Sequence, residues 1–147
     1  MASAPPPPPV TAVDLTQFTD AVDNARADNN TGLVATSNEE APDLSMRGSL
    51  MVWDKDHLAW WERGKRETYA GLETNPKAAV FVRNPIRDKR TLRFYGEARI
   101  VSDSAERERV WQRVSQLEKD MDPEAKGIAI VMRVDRVRAG PADIQRR

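Results

Sequence analysis

The sequence contains no cysteine and a single histidine, His57, among its 147 residues. Without cysteine there is no disulfide framework, no thiol nucleophile and no thiolate metal site. One histidine excludes a two-histidine metal centre or an HExxH arrangement within one chain. A surplus of charge is missing too: 23 Lys and Arg face 23 Asp and Glu, for a net charge of +0. A nucleic-acid partner usually leaves a basic excess or stripe, so none is expected. No apolar run reaches the ~18 residues of a membrane span. The start, Met1 to Pro9, lacks the basic segment and apolar core of a secretory leader. A cytoplasmic protein is the expectation. No Gly-x-Ser-x-Gly elbow accompanies His57, which removes the serine-hydrolase reading. Asp120, Asp122 and Glu124 lack the glycine and the twelfth-position glutamate of a calcium loop.

What is present fits one domain, long enough to bury about 68% of the surface of its unfolded chain. Residues 1–10 are expected to be a disordered tail, because the prolines from Pro5 to Pro9 fix φ and remove five backbone donors. Docking on an SH3-like partner is the less favoured reading of that tail. The folded domain is expected over 11–140, with 141–147 as a C-terminal tail.

Thr11-Ala12-Val13-Asp14 fits a capping box, and Leu15, Phe18 and Val22 follow at helical spacing. Six strands are then expected: Leu33–Thr36, Gly48–Trp53, Leu58–Trp61, Ala78–Arg83, Leu92–Val101 and Gly127–Val137. Asp54-Lys55-Asp56 is short enough to join the second and third as a hairpin. The last strand is apolar on both faces before Arg133, as a central buried strand is. Two helices interrupt the series. One runs from Arg66 to Thr74 and stops at Asn75-Pro76. The other starts at Asp103 and carries a stripe of Val110, Trp111, Val114, Leu117 and Met121. Short strands with few, peripheral helices indicate a mainly β, closed or nearly closed barrel.

The densest chemistry lies in Trp60-Trp61-Glu62-Arg63-Gly64-Lys65-Arg66-Glu67-Thr68. Arg63, Lys65 and Arg66 stand beside the exposed donors of a helix start, an arrangement that favours an anion, phosphate in particular. Thr68 adds a hydroxyl. Arg47 supplies a fourth cation and bidentate geometry if the Asp54 turn folds its strand back. As residues alone, the cluster equally suits a solvated basic turn, and the tryptophans equally suit core or interface.

The order of these pieces resembles the FMN-binding split-barrel family related to pyridoxamine 5′-phosphate oxidase, from about Asn24 to Gly140. The likeness rests on Arg47-Gly48-Ser49-Leu50-Met51-Val52, then Leu58-Ala59-Trp60-Trp61 with its basic turn. Leu72-Glu73-Thr74-Asn75-Pro76, Ala78-Ala79-Val80-Phe81-Val82 and Arg93-Phe94-Tyr95-Gly96-Glu97-Ala98 follow. The resemblance implies a six-stranded antiparallel Greek-key split barrel, a homodimer with flavin sites across its interface, and FMN, or a deazaflavin in its place. It implies a phosphate or ribityl contact at Arg47 and backbone donors from Gly48, Ser49 and Leu50 along the ring edge. It also implies contacts at Trp61, Glu62, Arg66, Glu67 and Thr68. The family's lysine falls on Thr68 and its glutamine on Thr91, with Lys65 and Arg66 as substitute charge. The Arg-x-His element of pyridoxamine phosphate oxidase itself is not in the sequence, so that exact activity is not expected. Three functions follow: a flavin oxidoreductase acting on a small molecule or nicotinamide cofactor, a non-catalytic flavin-binding or storage protein, and a cofactor-free dimeric scaffold. Fold-level likeness does not separate them.

Overall fold

The structure, a computed structural model, describes residues 3–6, 9–38, 40–64 and 67–147, with the backbone but not the side chain of Glu67. A 3₁₀ turn, Leu15–Phe18, runs into α1 (Thr19–Asp23); the strands β1 (Gly32–Ser37), β2 (Pro42–Arg47), β3 (Met51–Val52) and β4 (His57–Glu62) follow. Then come α2 (Glu67–Thr74), β5 (Lys77–Val82), β6 (Leu92–Ile100), α3 (Ser104–Arg113), α4 (Gln116–Asp120), β7 (Ile128–Ala139) and β8 (Ala142–Arg146). The strands form one sheet in the order β2-β1-β5-β6-β7-β4-β3, with β8 also on β7. Every strand pair is antiparallel. This curled sheet with few helices is the mainly β split barrel expected, with eight strands in place of six. Among the described residues, no helix is long and apolar enough to cross a membrane.

The strand count differs for two physical reasons. Proline is tolerated on an edge strand, so Pro42 opens β2, which pairs only with β1. Its alternation runs inside out: Leu44 and Met46 are 65% and 66% exposed, while Asp43, Ser45 and Arg47 are half-buried. At the other end, the segment set apart as a tail contains β8, where Gln145 is buried. Its amide accepts from the Asp14 backbone N–H at 3.0 Å and donates to the Asp14 carbonyl at 3.2 Å. Thr11 bridges to Gln145 instead of capping a helix, and Asp14 takes the cap, accepting from the Thr16 N–H.

The barrel interior follows from the alternation of side chains along each strand. Leu58 and Trp60 of β4 and Ile130, Met132 and Val134 of β7 point into one core with Phe94, Val80 and Phe18. Phe18 meets Phe94 edge to face, with centroids 5.6 Å apart. The opposite faces of β4 and β7, Ala59, Trp61, Ala129 and Val131, make a second core under Val110 and Val114. Thus β7 is central and buried on both faces, as its sequence required. At Gly96 the β6–β7 register shifts, and a Cβ there would run into the Arg133 carbonyl.

The long helix expected from Asp103 to Met121 breaks. Val114 turns extended, with ψ 138°, and Ser115 caps a new helix, α4. Serine competes for backbone donors in this way. The break leaves Leu117 and Met121 at the surface, 54% and 51% exposed, and buries Glu118. After α4, Asp122 accepts from the Trp61 indole at 2.8 Å, the Gly127 amide at 2.9 Å and the Lys126 amide at 3.0 Å.

Burial pushes the Asp122 carboxyl upward. The Trp61, Gly127 and Lys126 hydrogen bonds with the Arg107 charge outweigh that and hold it below its ordinary 3.8. Its stabilising contribution is therefore complete above 3.8 and is lost as pH falls through the lower folded value. Asp122→Asn is expected to flatten that part of the acid-unfolding profile. An unaltered acid limb in equilibrium unfolding of the variant would count against the assignment.

Candidate functional site

Three pieces of chain meet at one mouth of the barrel: the end of β2 with its turn into β3, the end of β4, and α4. Ser49 fixes the first two together. Its hydroxyl accepts from the Trp61 N–H at 2.9 Å and donates to the Trp61 carbonyl at 3.1 Å. That side chain supplies the pairing that the β3–β4 ladder, ending at Met51 and Ala59, no longer makes. Gly48 then lies so near α4 that a Cβ would collide with the Glu118 carboxylate and approach Arg26 Nη1 to 2.8 Å. A larger residue at this position would require the Glu118 carboxylate to shift.

The result is a cleft of about 310 Å³ lined by Arg47, Gly48, Ser49, Trp61, Glu62 and Arg63, with Met46, Gly64 and Glu118. Six of the eleven residues named from the sequence for this site are thereby brought together. Leu50 is not among the lining; its side chain is 5% exposed and packs in the barrel core. Lys65 and Arg66 lie outside the described residues, as does the Glu67 side chain. Thr68, 2% exposed, is away from the cleft wall. Its hydroxyl accepts from Arg47 Nη2 at 2.9 Å and donates to Asp43 at 2.8 Å. A hydroxyl has one proton, and that proton is committed.

Alternation along β4 decides which way each aromatic points. Trp60 faces inward; Trp61 faces outward, 4.7 Å from the Trp111 ring and with Arg107 4.7 Å above it. Glu62 shares the inward phase of Trp60. Its Oε1 accepts from Arg47 Nε at 2.5 Å and from the Trp60 indole at 3.0 Å, and its side chain is 5% exposed. Arg47 also donates from Nη1 to the Met46 carbonyl at 2.7 Å. Arg63 is the less committed cation. Its side chain is 45% exposed, its Nε is 3.7 Å from Glu118, and Nη1 donates to the Met121 sulfur, a weak acceptor.

Glu118 and Arg26, joined at 2.9 Å, were not anticipated as neighbours of the site. In the sequence Glu118 reads as the polar end of a helix. The one available signal was Ser115, an N-cap residue inside the helical stripe, whose effect is to rotate Glu118 inward.

A family model described as pyridoxamine 5′-phosphate oxidase matches residues 18–139, most of the chain. The chain belongs to the pyridoxamine 5′-phosphate oxidase family. Solved structures of similar fold include an FMN-binding protein from Syntrophomonas wolfei, with a TM-score of 0.66 at 14% identity, covering 86% of this chain and 88% of that one. HupZ of Group A Streptococcus has a TM-score of 0.64 at 20% identity, covering 88% and 95%. General Stress Protein 26 of Bacillus anthracis str. Sterne has a TM-score of 0.64 at 17% identity, covering 88% and 93%. No curated protein matches the sequence. At such identities the shared feature is the oxidase-family fold, and the chemistry must be read from the cleft.

The Ser49 clamp is directly testable. Ser49→Ala removes both bonds to the Trp61 backbone and leaves a buried amide and carbonyl unpaired, an expected loss of about 1–3 kcal/mol. Urea unfolding should show a lower midpoint with an unchanged slope. A midpoint within error of the parent would sink the clamp.

Proposed function

We propose that this cleft binds FMN, and that the protein is a flavin oxidoreductase acting on a small molecule, with a nicotinamide cofactor as a candidate reductant. The observation that carries the reading is a convergence. Residues named from the sequence, Arg47, Gly48, Ser49, Trp61, Glu62 and Arg63, line one concave site although they come from two separate chain segments. The donor set fits an anionic tail. Arg26, Arg47 and Arg63 stand against Glu62 and Glu118, so the described charges leave one cation in excess, and Arg63 retains free N–H groups.

When bound, the flavin supplies hydride transfer at N5. The chain's residues then have binding and positioning tasks. Arg63 holds the charged tail, Arg47 adds its unengaged N–H groups, and the Ser49 clamp keeps the Gly48 backbone at the wall. The reading includes a homodimer, supported by the exposed Leu44 and Met46 on edge strand β2. A second reading, flavin storage or a scaffold without cofactor, draws support from one specific feature: Arg47 is already held by a buried carboxylate.

Visible absorption of the purified protein, followed by titration with FMN and riboflavin, separates these readings. Flavin bands bleached by a nicotinamide donor faster than free FMN support the oxidoreductase; bands without such bleaching support storage. Failure to take up either flavin leaves the scaffold. Arg63→Ala is expected to weaken FMN by about tenfold or more, as befits a charged hydrogen bond, and to spare riboflavin. Glu62→Gln keeps the hydrogen bonds but releases the Arg47 charge, and should tighten FMN selectively. Equal changes for both ligands in these variants would remove the phosphate assignment.

A further inference from the structure

The break between α3 and α4 that buries Glu118 also leaves Met121 at the surface, 51% exposed, beside the cleft. Its backbone is held on both sides. The Met121 N–H closes α4 on the Glu118 and Lys119 carbonyls, and the adjoining Asp122 is anchored by the Trp61 indole and two amides. The thioether is thereby kept against Arg63, whose Nη1 lies 3.4 Å from Sδ. Among the described residues this sulfur is the only hydrogen-bond acceptor of Arg63, because the Glu118 carboxylate stands off at 3.7 Å.

A thioether accepts weakly, so Arg63 stays available to a ligand. A sulfoxide is different. Oxidation turns an apolar side chain into a polar one, and an oxygen set against a guanidinium takes a charge-assisted hydrogen bond. The step needs only a peroxide. The sulfur lone pair attacks one oxygen of hydrogen peroxide, the O–O bond breaks, and the other oxygen leaves as water with both protons. The sulfur loses the two electrons that the peroxide gains. Exposure selects the target: Met51 and Met132 are 5% and 0% exposed and sit in the two cores. Met46 is 66% exposed, but it meets Arg47 through its carbonyl and not its sulfur.

We propose that Met121 is an oxidation site, and that its sulfoxide captures Arg63 and withdraws that charge from the cleft. Affinity for the anionic tail of a ligand then falls until a methionine sulfoxide reductase restores the thioether. The loss of affinity rests on the flavin reading above; the capture of Arg63 does not.

The test treats the full chain with hydrogen peroxide and reads it in three ways, on the parent, Met121→Leu and Met46→Leu. Peptide mass spectrometry should find Met121 and Met46 oxidised before Met51 and Met132. Nuclear magnetic resonance follows the Arg63 Nε–H signal, assigned by its loss in Arg63→Ala. Oxidation should shift that signal in the parent and leave it in place in Met121→Leu. Titration should show FMN weakened about fivefold or more by oxidation, with riboflavin unchanged. That weakening should persist in Met46→Leu, vanish in Met121→Leu and be reversed by the reductase. Met121 left unoxidised while Met46 is fully converted overturns the proposal. So does an Arg63 signal unmoved once Met121 is a sulfoxide, or an equal loss of FMN and riboflavin. A parent that takes up no FMN before oxidation removes the flavin reading, and the Arg63 signal alone then decides the proposal.

Discussion

Glu62 places a carboxylate on the inward phase of a strand whose neighbours are Trp60 and the barrel core, and the rest of the cleft answers that constraint. A charge so placed is tolerated only when paired and hydrogen-bonded, and removing one partner of such a pair typically costs about 3–5 kcal/mol. Arg47 and the Trp60 indole provide the partners. Arg47 is thereby fixed at the end of β2, its second nitrogen reaches Thr68 at the start of α2, and Thr68 reaches Asp43 back on β2. One buried charge ties edge strand β2, strand β4 and helix α2 into a single polar chain.

The same geometry limits the positive charge that the cleft has to offer. A cation that must neutralise a resident carboxylate has less to offer a ligand, so the accessible positive charge shifts to Arg63. Glu118 on α4 repeats the pattern, with Arg26 as its main partner. The cleft is close to internally neutral, with one cation spare. In the proposed reading, such a site recognises its ligand by shape and backbone contact as much as by charge.

The outer face of the sheet shows what happens when acids are not supplied locally. There the alternation that sends Phe94 and Val137 inward forces Arg93 and Arg138 outward side by side. Among the described residues Asp143 is the acid beside them, and Arg93 Nε, Arg138 Nε and Asp143 Oδ1 remain without a hydrogen-bond partner. The contrast between the two places, one saturated from within and one left open, comes from the strand phase alone.

Much of the fold was legible in the sequence because it rests on local rules. The apolar run of β7, the Asp54 hairpin, the Asn75-Pro76 stop and the Asp103 cap all follow from side-chain period, proline geometry and capping chemistry. The cationic turn after Trp61 and its kinship with Arg47 were legible too. β2 was hidden because its apolar residues face outward on an edge, and β8 because its stability comes from Gln145 bonding to Asp14 at the far end of the chain. Covalent sequence carries the period of each segment, but not which segments become neighbours. Hence the chain determined the elements and the identity of the charges. Tertiary contact alone decided that Glu62 claims Arg47 and that Glu118 turns in against Gly48, because pairing energies depend on distances between residues far apart along the chain.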